Sequence, residues 1–304
     1  YGPYPGVPDA VIESTQLARF VVRQAFGIGI YPLNRFTRLE FGAQLNNVER
    51  SIAWIRRGIQ LSTGQSTQFV FDSITNRSSL NYFAPYAAYV SDNTLFGYTG
   101  PISGRRYRLQ IEPSIGNLQW IDYQVDYRRY FPILFNFLTF ATRVQSSVAI
   151  GRNEEAFPKY IGRPEFVRGY DREQIGTACG IGVGDQPSIC SADELIGSRV
   201  AFANAELRFP LVRRFDLGLL PISLPPVDGL FFYDAGVAWY GGQSVYWSRP
   251  DNYDVGTQRR VLRSYGLGIR LNLFGFALLR WDYAKPLDRP GQKAYWQWTL
   301  GPSF

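Results

Sequence analysis

An all-β chain forming a transmembrane antiparallel β-barrel is the fold class this sequence predicts, and three observations predict it. Segments in which large apolar residues alternate with polar or charged ones recur down the whole length, with no helical period competing. The 304 residues include 20 Tyr, 22 Phe and 7 Trp, more aromatic mass than one water-soluble core needs and suited to girdles at two membrane interfaces. The chain is 45% hydrophobic, yet its mean hydropathy is slightly negative and no uninterrupted apolar run reaches the length of a membrane helix. Helical spanning is therefore excluded. A large water-soluble β-sandwich carries the same alternation and stays open as the competing fold.

About eleven alternating segments can be recognised, near 17–31, 36–47, 80–91, 105–113, 118–130, 137–150, 198–209, 230–239, 263–273, 276–284 and 295–304. The fifth is the clearest: Ile121, Tyr123, Val125 and Tyr127 alternate with Asp122, Gln124, Asp126 and Arg128. One face thus carries aromatic and β-branched residues and the other carries charge, and inward-pointing charge needs the water of a wide lumen. In the seventh segment Asn204, Glu206 and Arg208 share a face, and in the eighth Phe232, Asp234 and Gly236 do. The last segment sets Trp296, Trp298, Leu300, Pro302 and the terminal Phe304 against Gln297, Thr299, Gly301 and Ser303. A final strand that meets lipid on one side and the lumen on the other has this pattern, and so does a soluble sheet edge.

With the C-terminus on the periplasmic side, connections are expected to alternate between tight turns and long surface loops. The stretches 32–35, 131–136 and 274–275 are short, whereas 48–79, 151–197 and 240–262 are long. Two connections break the rule: 114–117 is short where a loop is expected, and the proline-rich 210–229 is long where a turn is expected. Closed bacterial barrels have even strand numbers, so eleven implies a missed strand or strands upstream of Tyr1. The chain contains no Met and opens with no signal-peptide pattern. The expectation is that residues 1–304 are the C-terminal part of one barrel domain, with its first strands and any periplasmic domains upstream.

The formal charge is +7, but the basic residues are spread singly through alternating segments rather than gathered in one run. They read as lumen and rim charges, and no nucleic-acid partner is expected. Histidine is absent, which removes Ser-His-Asp and Cys-His nucleophile activation and His-ligated zinc. No metal, no cofactor and no enzymatic activity are expected, although a carboxylate pair formally leaves room for a glycosidase.

The long stretch 151–197 holds Phe166, Val167, Arg168, Gly169 and Tyr170 ahead of the strands carrying Glu206 and Asp234. Two inward carboxylates make a receptor for a cation, and an arginine on a loop folded back into the barrel can form a forked, charge-assisted pair with either. On spacing alone, three independent solvated charges are the competing reading. Cys179 and Cys190, the only cysteines, have a separation that suits a disulfide closing a short surface hairpin. Such a bridge is worth roughly 3 kcal/mol to the order of the segment; a redox or metal site is the sharper alternative but has no His to draw on. Gly180, Gly182 and Gly184 between them follow no strand and open no helix, so a phosphate cradle is not indicated.

The stretch Val167-Arg168-Gly169-Tyr170, the strand Ala205-Glu206-Leu207-Arg208-Phe209-Pro210 and the strand from Phe231 to Trp239 resemble, in order and spacing, three signature blocks of the BamA superfamily of outer-membrane assembly and translocation barrels. The resemblance extends to Gly275 through Pro286 and to Trp296 through Gly301; the N-terminal half is covered by strand pattern alone, and Tyr170 replaces the commoner Phe. It implies that Arg168 inserts into the barrel and pairs with Glu206 and Asp234, that the complete barrel has sixteen strands, and that Cys179 and Cys190 pair as in some relatives. It also implies a bacterial outer-membrane location, with lipids, unfolded outer-membrane protein clients and accessory assembly proteins as partners. The mechanism the family suggests is a weak seam between first and last strands, where a client strand adds by β-augmentation; Gly301 and Pro302 would weaken that edge, or merely mark a frayed end. A passive pore, or a membrane anchor for an upstream domain such as a β-propeller, is the alternative function.

Overall fold

The alternation folds as a meander of long strands. A computed structural model describes residues 2–3, 10–60, 66–72, 78–134, 137–171, 192–212, 215–216, 223–273, 277–289 and 291–301. The long strands among them are β1 (Ala10–Pro32), β2 (Thr37–Gln60), β3 (Ser78–Asp92), β4 (Pro101–Gly116), β5 (Trp120–Ile133) and β6 (Leu138–Gly151). They continue with β7 (Arg199–Val212), β8 (Val227–Trp239), β9 (Leu262–Leu273), β10 (Ala277–Pro286) and β11 (Tyr295–Leu300). Strand order in the sheet follows sequence order, and every pair from β5 to β11 is antiparallel, as connections without a crossover require.

Two compact units divide the chain: 1–28, 42–85 and 114–118 form the smaller, and 29–41, 86–113 and 119–304 the larger. The smaller corrects one expectation. The connection assigned to 48–79 is largely strand, because β2 runs on to Gln60 and Ser66–Asp72 doubles back on it with residue 55 opposite 71 and 57 opposite 69. Both stretches are rich in β-branched and aromatic residues, and the intervening polar residues hide their alternation. Polar side chains also link its strands: Arg23 Nη1 donates to Asn47 Oδ1 (2.9 Å), and Asn47 Nδ2 donates to Ser79 Oγ (2.8 Å) and Asn81 Oδ1 (2.7 Å). At Gly116 the backbone takes φ +139°, and a Cβ there would sit 2.6 Å from Asn81 O, so glycine allows the close approach at this tight turn.

The larger unit is built inside out by the standard of a water-soluble protein. On β5 the Ile121, Tyr123, Val125 and Tyr127 side chains are exposed while Asp122 is buried and Asp126 and Arg128 are half-buried. Arg143, Arg208, Arg270, Arg280, Glu206, Asp234 and Asp282 are buried, whereas Phe231, Tyr265, Leu267, Trp281 and Trp298 are exposed. Charged residues are seldom fully buried unless paired, and a soluble sandwich would bury the other face of every strand. The competing fold is thereby removed. The stretch 210–229 is also corrected in part: Phe215–Asp216 pairs antiparallel with Ser223–Leu224, so it contains a small hairpin.

The largest apolar core cluster among the described residues joins Ile161, Val167, Tyr170, Leu195, Val200, Phe202, Ala238 and Leu262. It lies between the connection following β6 and one end of β7, β8 and β9, which fixes where that connection docks.

Candidate functional site

The ladder places the acids. Asn204 pairs with Asp234 and Glu206 with Phe232 across β7 and β8, so the two-residue period turns Glu206 and Asp234 to the same side. On β9 the residues paired with Phe232 and with Asp282 of β10 are Gly266 and Gly268. A Cβ at Gly266 would meet the Phe232 ring at 2.6 Å, and one at Gly268 would strike the Asp282 carboxylate. Glycine on β9 therefore opens the trough in which Phe232 and Asp282 lie.

Arg168 fills that trough from the connection between β6 and β7. Its Nε donates to Asp234 Oδ2 at 2.6 Å and Nη2 to Oδ1 at 2.7 Å, a forked pair, while Nη1 donates to Glu206 Oε1 at 2.9 Å. The Arg168 backbone N–H adds a bond to Asp234 Oδ2 at 3.1 Å, and the guanidinium lies 3.6 Å over the Phe232 ring centroid. The arginine side chain is 1% exposed and both acid side chains 0%. Burial alone would lower the Arg168 pKa, but the Asp234 and Glu206 carboxylates outweigh it and hold it above its ordinary value, so the loop docks as a permanent cation.

Glu206 is shared. Arg208 Nε donates to its Oε2 at 2.9 Å, Arg270 Nη2 donates to the same oxygen, and Arg280 Nη2 lies 3.9 Å from Oε1 while donating to Asp282 Oδ2 at 2.9 Å. Asp282 is itself 3.8 Å from Arg168 Nη1. Four arginines meet three carboxylates in this network, so removing a carboxylate leaves buried cations uncompensated.

The residues beside Arg168 set the pose. A Cβ at Gly236 would collide with Val167 Cγ2 and approach Phe202 Cβ to 3.1 Å, so Val167 packs only because residue 236 has no side chain. Gly169 has φ +85° and would bring a Cβ to 3.3 Å from Pro286 N. Its N–H donates to Gln297 Oε1 at 2.8 Å, and the Asp171 N–H donates to Tyr295 OH at 3.1 Å, both acceptors on β11. Tyr170 OH donates to Arg263 O at 2.7 Å and accepts from Asp288 N at 3.2 Å. Asn204 Nδ2 donates to Phe166 O at 2.7 Å and to Asp234 Oδ1 at 2.8 Å. Four consecutive residues, Val167 to Tyr170, thus touch four strands, β8 to β11, and Arg168 also reaches β7.

On the opposite face of β11, Trp296, Trp298 and Leu300 are exposed, and Trp296 packs against Trp281 (centroids 6.0 Å apart) and Tyr283 (5.0 Å). Gly301 has φ +153°, and its N–H donates to Leu278 O at 3.0 Å, so the weakness expected there does not extend to an unpaired amide. Pro302, Phe304, Cys179 and Cys190 lie outside the described residues.

A family model described as the Omp85 superfamily domain matches residues 26–304. The chain belongs to the Omp85 superfamily. Among solved structures this Omp85 chain resembles BamA from Haemophilus ducreyi lacking POTRA domains 1–3, with a TM-score of 0.55 and 14% identity over 95% of this chain and 61% of that one. CdiB from Acinetobacter baumannii aligns with a TM-score of 0.46 and 14% identity, over 95% of this chain and 50% of CdiB. The chain thus spans less than two thirds of either, and the likeness to BamA speaks to fold alone: the fold class is the transmembrane antiparallel β-barrel that the alternation predicts. Comparison with curated protein sequences finds no match. Sequence reading of the Omp85 site did not single out Arg270, Arg280, Asp282 or Gln297. The signal was available, because period two along 263–273, 276–284 and 295–304 turns all four inward.

Proposed function

We propose that this Omp85 chain is the C-terminal, membrane-embedded part of an outer-membrane barrel that inserts or translocates other polypeptides without bond chemistry. The observation that carries the reading is the docked Arg168, a buried cation that ties the connection after β6 to β7 and β8 while Gly169 and Asp171 hold the last strand. A desolvated ionic plug of this kind does nothing for a barrel that only needs to be stable, since apolar packing would serve as well. It suits a barrel whose last strand must be held and then released.

In this reading β11 is the seam strand, its exposed Trp296, Trp298 and Leu300 face lipid, and a client hairpin adds along its free edge. Gly301 closes the described ladder there. The C-terminus lies on the periplasmic side, the clients are unfolded outer-membrane proteins, and accessory assembly proteins bind outside this chain.

The test is reconstitution into liposomes and measurement of the folding rate of an unfolded barrel client by its heat-modifiable gel mobility. Faster folding than in empty liposomes, abolished when cysteines pair β11 to the first strand of the full-length protein, is the expected result. Client folding that is indifferent to the protein, or undiminished in the locked variant, would favour a passive pore or an anchor for an upstream domain.

A further inference from the structure

The connection between β3 and β4 takes no part in the Arg168 site, yet it reaches the same wall from the other end. The β1–β2 connection at that end reverses the chain in four residues, 33–36, whereas this one uses eight, 93–100. Its base is ordered: Asn93 N–H donates to Arg105 O at 3.0 Å, Asn93 Oδ1 accepts from Arg105 N at 2.8 Å, and Asp92 Oδ1 accepts from Thr94 Oγ1 at 2.6 Å. Its tip is folded too, with Gly97 N–H donating to Gly100 O at 2.8 Å.

The tip then crosses to strands far away in sequence. Thr99 Oγ1 donates to Asp228 Oδ2 of β8, Asn272 Nδ2 of β9 donates to Tyr98 O, and Arg208 Nη1 of β7 donates to Pro101 O at 3.3 Å. Arg208 faces inward with Glu206, and Asp228 and Asn272 share the inward parity of Asp234 and Arg270, so all three contacts lie on the lumen side. A cavity of about 360 Å³ separates the tip from this wall, lined among others by Tyr98, Phe137, Phe209, Arg208 and Arg270. Three hydrogen bonds beside a void with room for several waters make a clasp that can be undone, unlike a packed core.

We propose that Asn93–Gly100 is a strap that closes the lumen at the end opposite the Arg168 loop, with Thr99 on Asp228 as its clasp. This inference is independent of the insertion reading, because a strapped lumen bears on passage of water and ions whether or not clients are handled.

The experiment is conductance of the purified protein in planar lipid bilayers. A Thr99→Cys/Asp228→Cys pair in a Cys179→Ser/Cys190→Ser background should form a disulfide on oxidation, lower the conductance, and recover it on reduction. Thr99→Val and Asn272→Ala should each raise conductance while the protein keeps the heat-modifiable mobility of a folded barrel. Equal conductance of the oxidised and reduced forms overturns the strap, and so does a pair that mass spectrometry shows cannot be oxidised. The reversible pair is read within one folded sample, so misfolding of a single variant cannot mimic either result.

Discussion

Two clusters of arginine and carboxylate stand on the inner face of the larger unit, and they differ in what covers them. On β5 and β6, Asp126 accepts from Arg128 Nη2 at 2.7 Å and from Arg143 Nη2 at 3.2 Å, with Asp126 and Arg128 side chains 20% and 21% exposed. On β7 and β8, Asp234 accepts from Arg168 at 2.6 Å with both side chains essentially sealed. The chemistry is the same and the distances are nearly so. The difference is the connection after β6, which seals one cluster with Val167 and Tyr170 on either side of Arg168 and meets the other where Arg143 Nη1 donates to Glu165 O at 3.4 Å. Lumen charge is ordinarily wet and cheap to hold. It becomes a lock when a loop excludes the water, because removing one partner of a sealed pair strands the other.

The comparison is broken most directly at Arg168. Arg168→Ala should cost about 3 kcal/mol, since sealed Asp234 loses its forked partner and Glu206 loses one of its arginines; the urea midpoint of the protein in detergent and hydrogen exchange over residues 160–171 measure it. Next comes the cover itself. Gly236→Val drives a side chain into Val167 and Phe202 and should cost roughly 1–3 kcal/mol by overpacking, with Arg168 exchange protection falling although no charge has changed. Unchanged protection there would mean that the ion pair, not the cover, holds the loop.

Gln297→Leu sharpens the comparison at the last strand. Losing the acceptor for the Gly169 N–H should cost about 1 kcal/mol, read as faster exchange of that amide and of β11, while the β5 and β6 amides stay unaffected. The smallest effect belongs to the uncovered cluster. Arg128→Ala should cost about 0.5 kcal/mol and lose even that in high salt, whereas the Arg168 effect should be indifferent to salt. A salt-insensitive loss of several kcal/mol at Arg128 would show that coverage is not what separates the two clusters.

How much of this was legible beforehand follows from the same contrast. Each of the eleven alternating segments falls on a strand over most of its described residues, the last as far as Leu300, because a strand that faces lipid on one side and water on the other must alternate. The 48–79 stretch misled because charged and polar residues interrupt its apolar ones; which of its residues face a partner strand is a matter of register, and register is a tertiary property. At the site, parity alone turned Glu206 and Asp234 inward. Arg270, Arg280 and Asp282 were equally inward, but a single charge on an alternating strand looks like any other lumen charge until its neighbours across three strands are known. Gly266 and Gly268 carried a hint of close approach that only the Phe232 ring and the Asp282 carboxylate explain.

Arg168 also comes early. Its partners Glu206 and Asp234 follow it by 38 and 66 residues, and Gln297, which holds Gly169, follows that residue by 128. A chain emerging or folding from its N-terminus therefore carries the key long before the keyhole exists, and the loop has to wait, solvated, until β8 has paired with β7 and β11 has closed on β10. Ordering the loop pays its closure entropy only at that moment. Docking of this one arginine thus dates itself to the pairing of β7 with β8, and the Gly169 bond to Gln297 dates itself to the arrival of β11.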